Sequence, residues 1–317
     1  MDNQTYMSEF LLLEFSNIRE LQILHFLLFL VLYLVIVSAN LLIISAVTFD
    51  QRLHTPMYFF LMNLAILDIG QVSVFMPKSM ANSVMNTRHI SYTGCVMQVL
   101  FLMFFIGADF FLLTVMAYDR YVAICNPLHY EMVINRQACV QMVTTVWISA
   151  FFNGVLHAGG TFAAPFCSNV VDQFFCEIPR LLKLSCSKVY LIEAGTVIFS
   201  CSIVLGCFIF IIVTYVQIFT AVLRIPSVQG RQKAFATCLP HLIVISTLLF
   251  SGFFAYLWPI LNTSSHADFA ITIIYSVVPP MLNPLMYSMR NKEIKAALSK
   301  QLGFSYSTGS IFSSVLL

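Results

Sequence analysis

The chain has 317 residues, of which 59% are hydrophobic and only 9% are charged. Soluble domains carry about 25% charged residues, so this composition excludes an ordinary soluble protein and leaves little sequence for a domain outside a membrane. The formal net charge of +2 is too small to indicate a nucleic-acid partner.

Seven apolar stretches are each long enough to cross a bilayer, which takes about 20 residues. We therefore predict an all-α membrane protein, a seven-transmembrane helix bundle over residues 23–290 with a short amphipathic C-terminal helix. A tail at 1–22 and a cytoplasmic segment at 291–317 flank the bundle. The predicted spans cover about 23–49, 57–78, 92–125, 137–160, 191–224, 231–258 and 268–289.

Basic residues in the loops predict the orientation of the bundle. If the N-terminus lies outside the plasma membrane, the cytoplasmic loops and ends carry more Lys and Arg residues than the outer ones. The positive-inside bias favours this arrangement. No cleavable signal peptide is recognisable, so we expect the first span to act as an uncleaved signal anchor. The outer tail contains the sequon Asn3-Gln4-Thr5, which predicts N-glycosylation of Asn3.

Two acidic residues lie inside predicted spans, near the middle of the membrane. Asp68 is in the second span and Asp109 is in the third. An ionisable group at that depth is costly and marks a candidate functional site. Two carboxylates that share a site require a cation or a proton between them. A shared proton, a bound sodium ion, or hydrogen bonds to Asn40 and Asn283 would each relieve the cost.

The third span ends in Met116–Cys125, which places Asp119 beside Arg120 and Tyr121 at the cytoplasmic boundary. Two interpretations are open. A charged pair at this depth can be a positive-inside anchor that only fixes orientation. Alternatively, because arginine keeps its charge and its planar donors suit a carboxylate, Asp119 holds Arg120 in a resting state and releases it in another. Asp109 lies roughly 16 Å from Arg120 along the helix axis, too far for an ion pair.

Four of the nine cysteines are predicted to lie outside the membrane, where disulfides persist. They are Cys95, Cys167, Cys176 and Cys186, and four cysteines allow three pairings. The last three lie in a connection over about residues 161–190, which is long for a helix bundle. Such connections are functional or disordered, and two disulfides would favour order.

The fifth and sixth spans are joined by a short connection and form an antiparallel hairpin. Its cytoplasmic tip is basic, with Tyr215 near the end of the fifth span and Arg231 and Lys233 at the start of the sixth. In the seventh span, Pro284 removes a helix hydrogen bond and predicts a kink, and Asn283 is a polar group beside the freed backbone.

After the last span, residues 291–300 place Ile294, Ala297 and Leu298 on one face and lysines elsewhere. This pattern predicts a short amphipathic helix on an anionic membrane surface, so membrane lipid is an expected partner. The serine-rich end of the chain, from Ser305, is predicted to be disordered.

Four motifs, spread over nearly the whole chain, resemble those of one family. They are Leu53–Phe60 (LHTPMYFF), Met116–Cys125 (MAYDRYVAIC), Lys233–Cys238 (KAFATC) and Pro279–Asn291 (PPMLNPLMYSMRN). When all four motifs occur together and in this order, they are highly specific for that family. The chain resembles a rhodopsin-like G-protein-coupled receptor and, within that family, an odorant receptor of the tetrapod type.

The resemblance implies that the protein senses a small volatile molecule and activates the olfactory stimulatory G protein in a sensory cilium, which raises cAMP. It implies no enzymatic activity, and it favours sodium beside Asp68. It pairs Cys95 with Cys176 and Cys167 with Cys186. The residues implied to switch or to couple to the G protein are Asp119, Arg120, Tyr121, Tyr215, Arg231, Lys233, Asn283, Pro284 and Tyr287.

The resemblance also places a ligand cavity among the third, fifth, sixth and seventh spans, in their outer halves. The positions there are Leu102, Met103, Ile106, Gly107, Phe199, Ser200, Ile203, Gly252, Phe253, Tyr256, Ile273 and Ser276. None is acidic or basic, so a mostly apolar pocket with a few hydroxyl groups predicts a neutral, lipophilic ligand with one hydrogen-bonding group. About half of these residues are expected only to pack the bundle.

Three positions depart from the family pattern. Ala236 replaces the usual serine of the KAFATC motif. Leu248–Phe250 replaces a triplet in which relatives often have a tyrosine, so a toggle carried by that tyrosine is not expected. Gln173 stands where relatives often carry histidine, so a metal site in the outer loop would lack a ligand.

The alternative function is a membrane transporter or channel for small solutes. A transporter predicts internal repeats and interrupted helices in corresponding halves, and neither pattern is recognisable in the chain. Signatures of intramembrane enzymes, such as His-Glu-x-x-His and Gly-x-Ser-x-Gly, do not occur in the sequence. A ligand-dependent rise in cAMP without solute flux would separate a receptor from a transporter.

Overall fold

The computed structural model describes residues 8–13, 18–186, 190–261, 265–290, 293–294 and 296–297. Its long helices correspond in order to the seven predicted spans. They are α1 (Arg19–Phe49), α2 (Pro56–Met85), α3 (Tyr92–Cys125), α5 (Arg136–Phe162), α7 (Tyr190–Leu223), α8 (Val228–Leu261) and α9 (Ser265–Arg290). The short helices α4 (Tyr130–Val133) and α6 (Ile178–Lys183) lie in the connections.

The apolar surface of these helices is too large for the protein to bury by itself. Judged on the described side chains, α1, α2, α3, α5 and α7 are each long and apolar enough to cross a membrane. The most apolar window of α1 is only 22% buried, and that of α7 only 6%. Because an exposed apolar surface of this size is unfavourable in water, these helices are suited to contact with lipid.

The central helix of the bundle is α3, which contacts α2, α5, α7 and α8. Its residues Leu112, Leu113 and Ala117 are at most 1% exposed. The neighbour α5 approaches α3 closely at Gly154, where a Cβ atom would lie 2.6 Å from the carbonyl oxygen of Leu100. Small residues permit such close approach between membrane helices. The helix α9 packs against α8, α2 and α1.

Several helix ends follow local sequence signals. Ser91 Oγ accepts the backbone N–H of Gly94 at 3.1 Å at the start of α3, and Asn135 Oδ1 accepts that of Ala138 at 2.9 Å at the start of α5. Such capping satisfies N–H groups that have no partner within the helix. At the other end of α2, Asn86 adopts a left-handed conformation with φ of 51°, a common way to terminate a helix.

Several helices are longer than the sequence predicts, and at the strand end the added residues of α1 and α2 support each other. α2 continues to Met85, beyond the predicted end at 78, and α1 begins at Arg19, within the predicted tail. Arg19 donates to the carbonyl oxygens of Ser83 at 2.9 Å and Val84 at 2.7 Å, which lie in the last turn of α2. These carbonyls have no partner within the helix. Pro77 lies inside α2, although a proline usually interrupts a helix.

The tail before α1 contains the strand β1 (Glu9–Leu12), which the sequence analysis did not predict. It pairs antiparallel with β2 (His89–Ser91) and parallel with β3 (Val170–Val171), so one sheet joins the tail to two connections. Phe10 and Leu12 are 0% and 2% exposed, which anchors the strand. Asn3 lies outside the described residues. We call the end of the bundle that carries this sheet the strand end, and the opposite end the Asp119 end.

The predicted amphipathic segment at 291–300 is described at Glu293, Ile294, Ala296 and Ala297. Ile294 and Ala297 are buried in a cluster with apolar residues of α1 and α2. Tyr58 donates to Glu293 Oε2 at 2.5 Å. The described apolar residues of this segment therefore face the bundle, and its contact with the membrane surface stays a prediction.

Candidate functional site

One disulfide attaches the long connection between α5 and α7 to α3, and a second closes a ring within the connection. Cys95 at the start of α3 is bonded to Cys176, and Cys167 is bonded to Cys186, with Cα–Cα distances of 5.5 and 5.3 Å. These are the two pairs that the family resemblance implies. Gln98 Oε1 also accepts the backbone N–H of Cys176 at 2.8 Å. The connection is therefore held to α3 both covalently and by a hydrogen bond.

The same connection is hydrogen-bonded to α9. Tyr275 donates to Glu177 Oε1 at 2.5 Å, and Gln173 Nε2 donates to Thr272 Oγ1 at 2.8 Å. These four side chains are at most 8% exposed. Gln173 is thus a buried hydrogen-bonding link at the position where the family's histidine is replaced. Together with the disulfide to α3, these contacts make the connection span the strand end from α3 to α9.

Four of the predicted ligand positions lie together beneath that connection. Leu102, Met103, Ile106 and Ile273 belong to one apolar cluster, which also contains Phe174 of the connection itself. Leu102 is 1% exposed, whereas the other three predicted positions are partly buried. The structure therefore brings residues of α3 and α9 together directly against the connection.

Other predicted ligand positions are not members of this apolar cluster. Ser276 is buried, and its hydroxyl donates to the Thr272 carbonyl at 2.7 Å. Gly107 faces α5, where a Cβ atom would lie 3.3 Å from Asn153 Nδ2, so it is a helix-packing position rather than a lining one. More exposed are Phe199 (56%), Ile203 (37%) and Phe253 (61%). Gly252 has open space beside it, and the side chain of Tyr256 lies outside the described residues.

A separate groove of about 630 Å³ opens between α2 and α3 at the strand end. Its lining includes Gly70, Val74, Lys78, Met97, Phe101 and Phe105. None of the predicted ligand positions lines this groove. The groove is therefore separate from the predicted ligand positions, although Val74 both lines it and packs against the cluster beneath the connection.

A chain of polar side chains between α5 and α7 was missed by the sequence analysis. His157 Nδ1 is 2.6 Å from Glu193 Oε1, and His157 Nε2 is 3.0 Å from Ser200 Oγ. Ser200 in turn donates to Asn153 Oδ1 at 2.9 Å. A signal was present in the sequence, since His157 is the one ionisable side chain besides Cys139 inside the predicted fourth span and Glu193 the one acid inside the fifth. Ser200 was predicted as a ligand position, so this polar network includes one of the candidate ligand residues.

The two acids in the middle of the bundle are buried, Asp68 at 0% and Asp109 at 2% exposed. Asn283 Nδ2 donates to Asp68 Oδ1 at 2.9 Å, which is one of the arrangements expected from the sequence. The expected contact of Asn40 with the acids is wrong, because Asn40 Nδ2 donates to backbone carbonyls, including that of Pro280 at 3.4 Å. That carbonyl lacks its usual helical partner because a proline, which has no N–H, stands four residues later.

Several buried oxygens in this region have no hydrogen-bond donor among the described residues. They are Asn40 Oδ1, Asp68 Oδ2, Asp109 Oδ1 and Asn283 Oδ1. Asp68 and Asp109 interact electrostatically. Carboxylate and amide oxygens are the ligands that hard cations prefer. The donor set therefore fits a sodium ion, and a proton on one carboxyl group would also reduce the repulsion between the two acids.

At the Asp119 end, the expected contact between Asp119 and Arg120 is not formed. Asp119 Oδ1 accepts a hydrogen bond from Tyr130 at 2.7 Å, and no ion pair within the described ranges joins Asp119 to Arg120. Successive helical residues project about 100° apart, so the two side chains leave α3 on different faces. Burial, and then the Asp119 carboxylate, raise the pKa of Tyr130, so this phenol remains protonated as the donor.

Tyr215 takes part in a buried contact that includes a histidine missed by the sequence analysis. Its hydroxyl is 2.6 Å from His241 Nδ1, and His241 Nε2 is 2.9 Å from the carbonyl oxygen of Leu113. Because a carbonyl only accepts, Nε2 carries the hydrogen, and Nδ1 of the neutral ring accepts from Tyr215. This contact joins α7 and α8 to α3. The sequence signal was a histidine three residues after the KAFATC motif.

The remaining predicted switch residues lie at the Asp119 end or inside α9. The ring of Tyr121 stacks on that of Tyr118 with centroids 6.5 Å apart. Arg231 is partly buried in the first turn of α8, and Pro284 is inside α9. The side chains of Lys233 and Tyr287 lie outside the described residues. Beside α4, the structure shows two strongly exposed apolar residues, Leu128 at 94% and Met132 at 70%.

Residues 29–303, most of the chain, match the family model described as "Olfactory receptor". Human "Olfactory receptor 14I1" is 52% identical over 299 residues, covering 94% of this chain and 96% of the relative. Human "Olfactory receptor 14J1" is 47% identical over 303 residues, covering 95% and 94%.

The crystal structure of squid rhodopsin has a TM-score of 0.72 at 15% identity, and the match covers 91% of this chain and 87% of that one. At this identity the match shows the fold alone, the seven-helix receptor bundle. The family match and the similar human proteins show more than the fold. This chain is a multi-pass membrane protein that belongs to the olfactory receptor family of G-protein-coupled receptors, which signal without enzymatic activity.

Proposed function

We propose that this receptor binds a small, neutral, lipophilic volatile at the strand end and activates the olfactory stimulatory G protein, raising cAMP. In this proposal the strand end faces outward from the plasma membrane of a sensory cilium, and the Asp119 end faces the cytoplasm. The observation that carries the proposal is the connection between α5 and α7. It is fixed to α3 by the Cys95–Cys176 disulfide and to α9 by the hydrogen bond from Tyr275 to Glu177.

The apolar cluster beneath this connection supports the proposed class of ligand. Leu102, Met103, Ile106 and Ile273 contribute aliphatic and thioether surface from two helices, and Phe174 contributes an aromatic ring from above. A mostly apolar site with few polar groups favours a lipophilic ligand. Because none of these side chains is ionisable, a charged amine or carboxylate would find no counter-charge among them.

The middle of the bundle supports a route from this site to the Asp119 end. Asp109 lies on α3 and Asn283 on α9, the two helices that the connection joins. We propose that a sodium ion is held by Asp68, Asp109 and the amide oxygens in the resting state. A ligand that draws α3 and α9 together would favour a state without the ion, which is a shift in population rather than a new contact.

The Asp119 end supports coupling to a G protein. Leu128 and Met132 are exposed apolar residues beside α4, and the buried core of a protein interface is more apolar than the rest of the surface. Arg120 and the basic tip at Arg231 add positive charge. Asp119 accepts a hydrogen bond from Tyr130 and forms no ion pair with Arg120 among the described residues, so the Arg120 guanidinium can contact a partner.

The proposal is tested in cells that carry the receptor and a cAMP reporter. We expect neutral volatiles to raise cAMP, whereas amines and carboxylic acids of the same chain length have little effect. Arg120→Ala should reach the cell surface at the wild-type level and lose the response. Arg136→Ala is the matched control, since Arg136 is an exposed arginine in the first turn of α5. A charged amine as best agonist, or normal signalling by Arg120→Ala, would refute the proposal.

A further inference from the structure

The polar chain between α5 and α7 determines which hydrogen bond Ser200 can make with a ligand. Ser200 has one hydrogen to donate and two lone pairs to accept with. Two of these three capacities are already used, because Ser200 Oγ is 2.9 Å from Asn153 Oδ1 and 3.0 Å from His157 Nε2. The remaining hydrogen-bonding capacity of Ser200 decides whether a ligand must donate or accept a hydrogen bond there.

The hydrogen of Ser200 is used within the protein. A carbonyl oxygen only accepts, so the Ser200 hydroxyl donates to Asn153 Oδ1. His157 Nε2 donates to Ser200 Oγ when the His157–Glu193 pair holds one hydrogen between Nδ1 and Oε1 and a second on Nε2. With the Asn153 amide oriented as it is in the structure, Ser200 spends its one hydrogen and one lone pair, and it keeps one lone pair.

His157 is held so that it cannot release Ser200. Its Nδ1 is 2.6 Å from Glu193 Oε1, and the two side chains are 4% and 0% exposed. Gly160 makes room for the carboxylate, since a Cβ atom there would collide with Glu193 Oε2. The imidazole is therefore bonded at both nitrogens, and a buried ring bonded at both nitrogens has little freedom to reorient.

Ser200 is not enclosed by the protein. It is only partly buried, and it lies in α7 among positions predicted to line the ligand cavity, between Phe199 and Ile203. The oxygen that faces such a ligand is an acceptor without a hydrogen to give. An alcohol or phenol can donate to it, whereas an ether, ester or aldehyde oxygen would meet a second acceptor and leave both without a hydrogen.

We propose that Ser200 selects volatiles that donate a hydrogen bond, alcohols and phenols, over ethers, esters and aldehydes of the same carbon skeleton. This inference rests on the proposed function and on the prediction that Ser200 is a ligand position, and it adds the direction of the hydrogen bond. A hydrogen bond of ordinary strength made by one ligand and not by the other corresponds to about a tenfold difference in potency.

The test uses the full-length receptor in cells with a cAMP reporter and matched probes. The first set is octan-1-ol, octanal and heptyl methyl ether, and the second is 4-ethylphenol and 4-ethylanisole. We expect the wild type to respond to the donor of each set at about tenfold lower concentration. Ser200→Ala should reduce this preference to within about twofold. Ser202→Ala is the matched control and should keep it, because Ser202 is exposed and donates to the Ile198 carbonyl of its own helix.

Surface labelling of each variant separates loss of selectivity from loss of folding. If Ser200→Ala does not reach the surface, Ser200→Cys serves in its place, because a thiol of similar size is a weak acceptor and should also lose the preference. Equal wild-type potency for donors and ethers, or a preference that survives at Ser200→Ala, overturns the inference while the receptor remains responsive. A wild type that reaches the surface and ignores every probe overturns the proposed ligand class and this inference together.

Discussion

The buried acids at the strand end and in the middle of the bundle differ in what completes their hydrogen bonds. Glu193 reaches His157 at 2.6 Å, and Glu177 reaches Tyr275 at 2.5 Å, so each acid has a strong partner on another element. Asp109 Oδ1, by contrast, has no hydrogen-bond donor among the described residues. At the strand end each acid has a partner from the chain on at least one oxygen, and Glu193 Oε2 is the oxygen left without a donor among the described residues. In the middle, two carboxylates interact with each other, and a proton or a cation would reduce their repulsion.

This difference predicts which substitutions lower the stability of the receptor and which alter its signalling. A buried acid that has a partner within the chain contributes to a fixed structure, and removing that partner leaves an uncompensated polar group. A buried acid that depends on an ion from solution responds to the concentration of that ion. We therefore expect changes at Glu193 and His157 to lower stability, and changes at Asp109 or at the Asp119 end to alter signalling in a folded receptor.

The largest expected effect is on the stability contributed by the His157–Glu193 pair at the strand end. His157→Leu should lower the free energy of unfolding by about 3–5 kcal/mol, because Glu193 would remain buried without its partner. The measurement is thermal unfolding of the purified receptor in detergent. His25→Leu, at a partly buried position on α1 in contact with its own helix, is the control.

The double variant His157→Leu and Glu193→Leu sharpens this result. Replacing both members of a buried polar pair by apolar residues is often nearly neutral, so the double variant should recover most of the loss. A single variant as stable as the wild type, or a double variant no better than the single one, would show that this pair does not stabilise the strand end.

The next effect is on coupling at the Asp119 end. Leu128→Ala should lower the potency of an agonist by about thirtyfold, the value for a central interface residue worth about 2 kcal/mol. Its unfolding temperature should not change, because the side chain is 94% exposed. Phe49→Ala is a suitable control, since Phe49 is 76% exposed at the same end of the bundle. Equal losses in both variants would mean that general surface apolarity, and not Leu128, matters.

A smaller effect is expected from sodium. Raising sodium at constant ionic strength, with N-methylglucamine as the replacement cation, should lower the agonist potency of the wild type by about tenfold, a typical coupling between two sites. Asp109→Asn should remove this dependence because one carboxylate ligand is lost. The assay is agonist-stimulated signalling in membranes. The same sodium dependence in the wild type and the variant would exclude Asp109 as a ligand.

The smallest expected effect is at the contact between Tyr130 and Asp119. Tyr130→Phe removes one hydrogen bond worth about 1 kcal/mol, and we expect basal cAMP to rise by up to about fivefold. The pKa of Tyr130 is raised, first by burial and then by Asp119. A raised pKa means that the contact is fully present below the ordinary tyrosine pKa of about 10 and is lost only as pH rises through the higher value.

The ratio of basal cAMP in Tyr130→Phe to that in the wild type should therefore stay constant between about pH 6 and 8. Measurement of basal signalling in membranes buffered across this range checks the expectation. A ratio that changes with pH in this range would contradict the assignment of Tyr130 as a protonated donor to Asp119.

Contacts between distant helices were predictable only where few partners existed. Asn283 was expected near Asp68 because polar groups are rare at that depth, and the structure shows this hydrogen bond. Asn40 was expected at the same acids, yet it donates to the Pro280 carbonyl. The Pro280 carbonyl has no helical N–H partner because the residue four positions later, Pro284, has no N–H. Which neighbouring helix supplies a donor instead depends on how α1 and α9 are packed.

Most of the wrong contact predictions arose because the sequence does not show in which direction a side chain projects from its helix. Asp119 and Arg120 are adjacent in sequence, but neighbours in a helix project about 100° apart, and Tyr130 of α4 reaches the carboxylate instead. Gly107 is close in sequence to Ile106, which packs in the cluster beneath the connection, yet Gly107 faces α5. Sequence motifs name the residues of such a site but do not state which of them share a face with another helix.

The sequence by itself determined the membrane-spanning class, the order of the seven helices and the family, because these depend on apolar length, charge placement and motifs that can be read along the chain. Only the tertiary structure decided the pairing of β1 with β2 and β3, the bond of His157 to Glu193 and that of Tyr130 to Asp119. Each joins segments whose distance is set by helix rotation and packing. A hydrogen bond tolerates only a few tenths of an ångström, so its partner is decided in three dimensions.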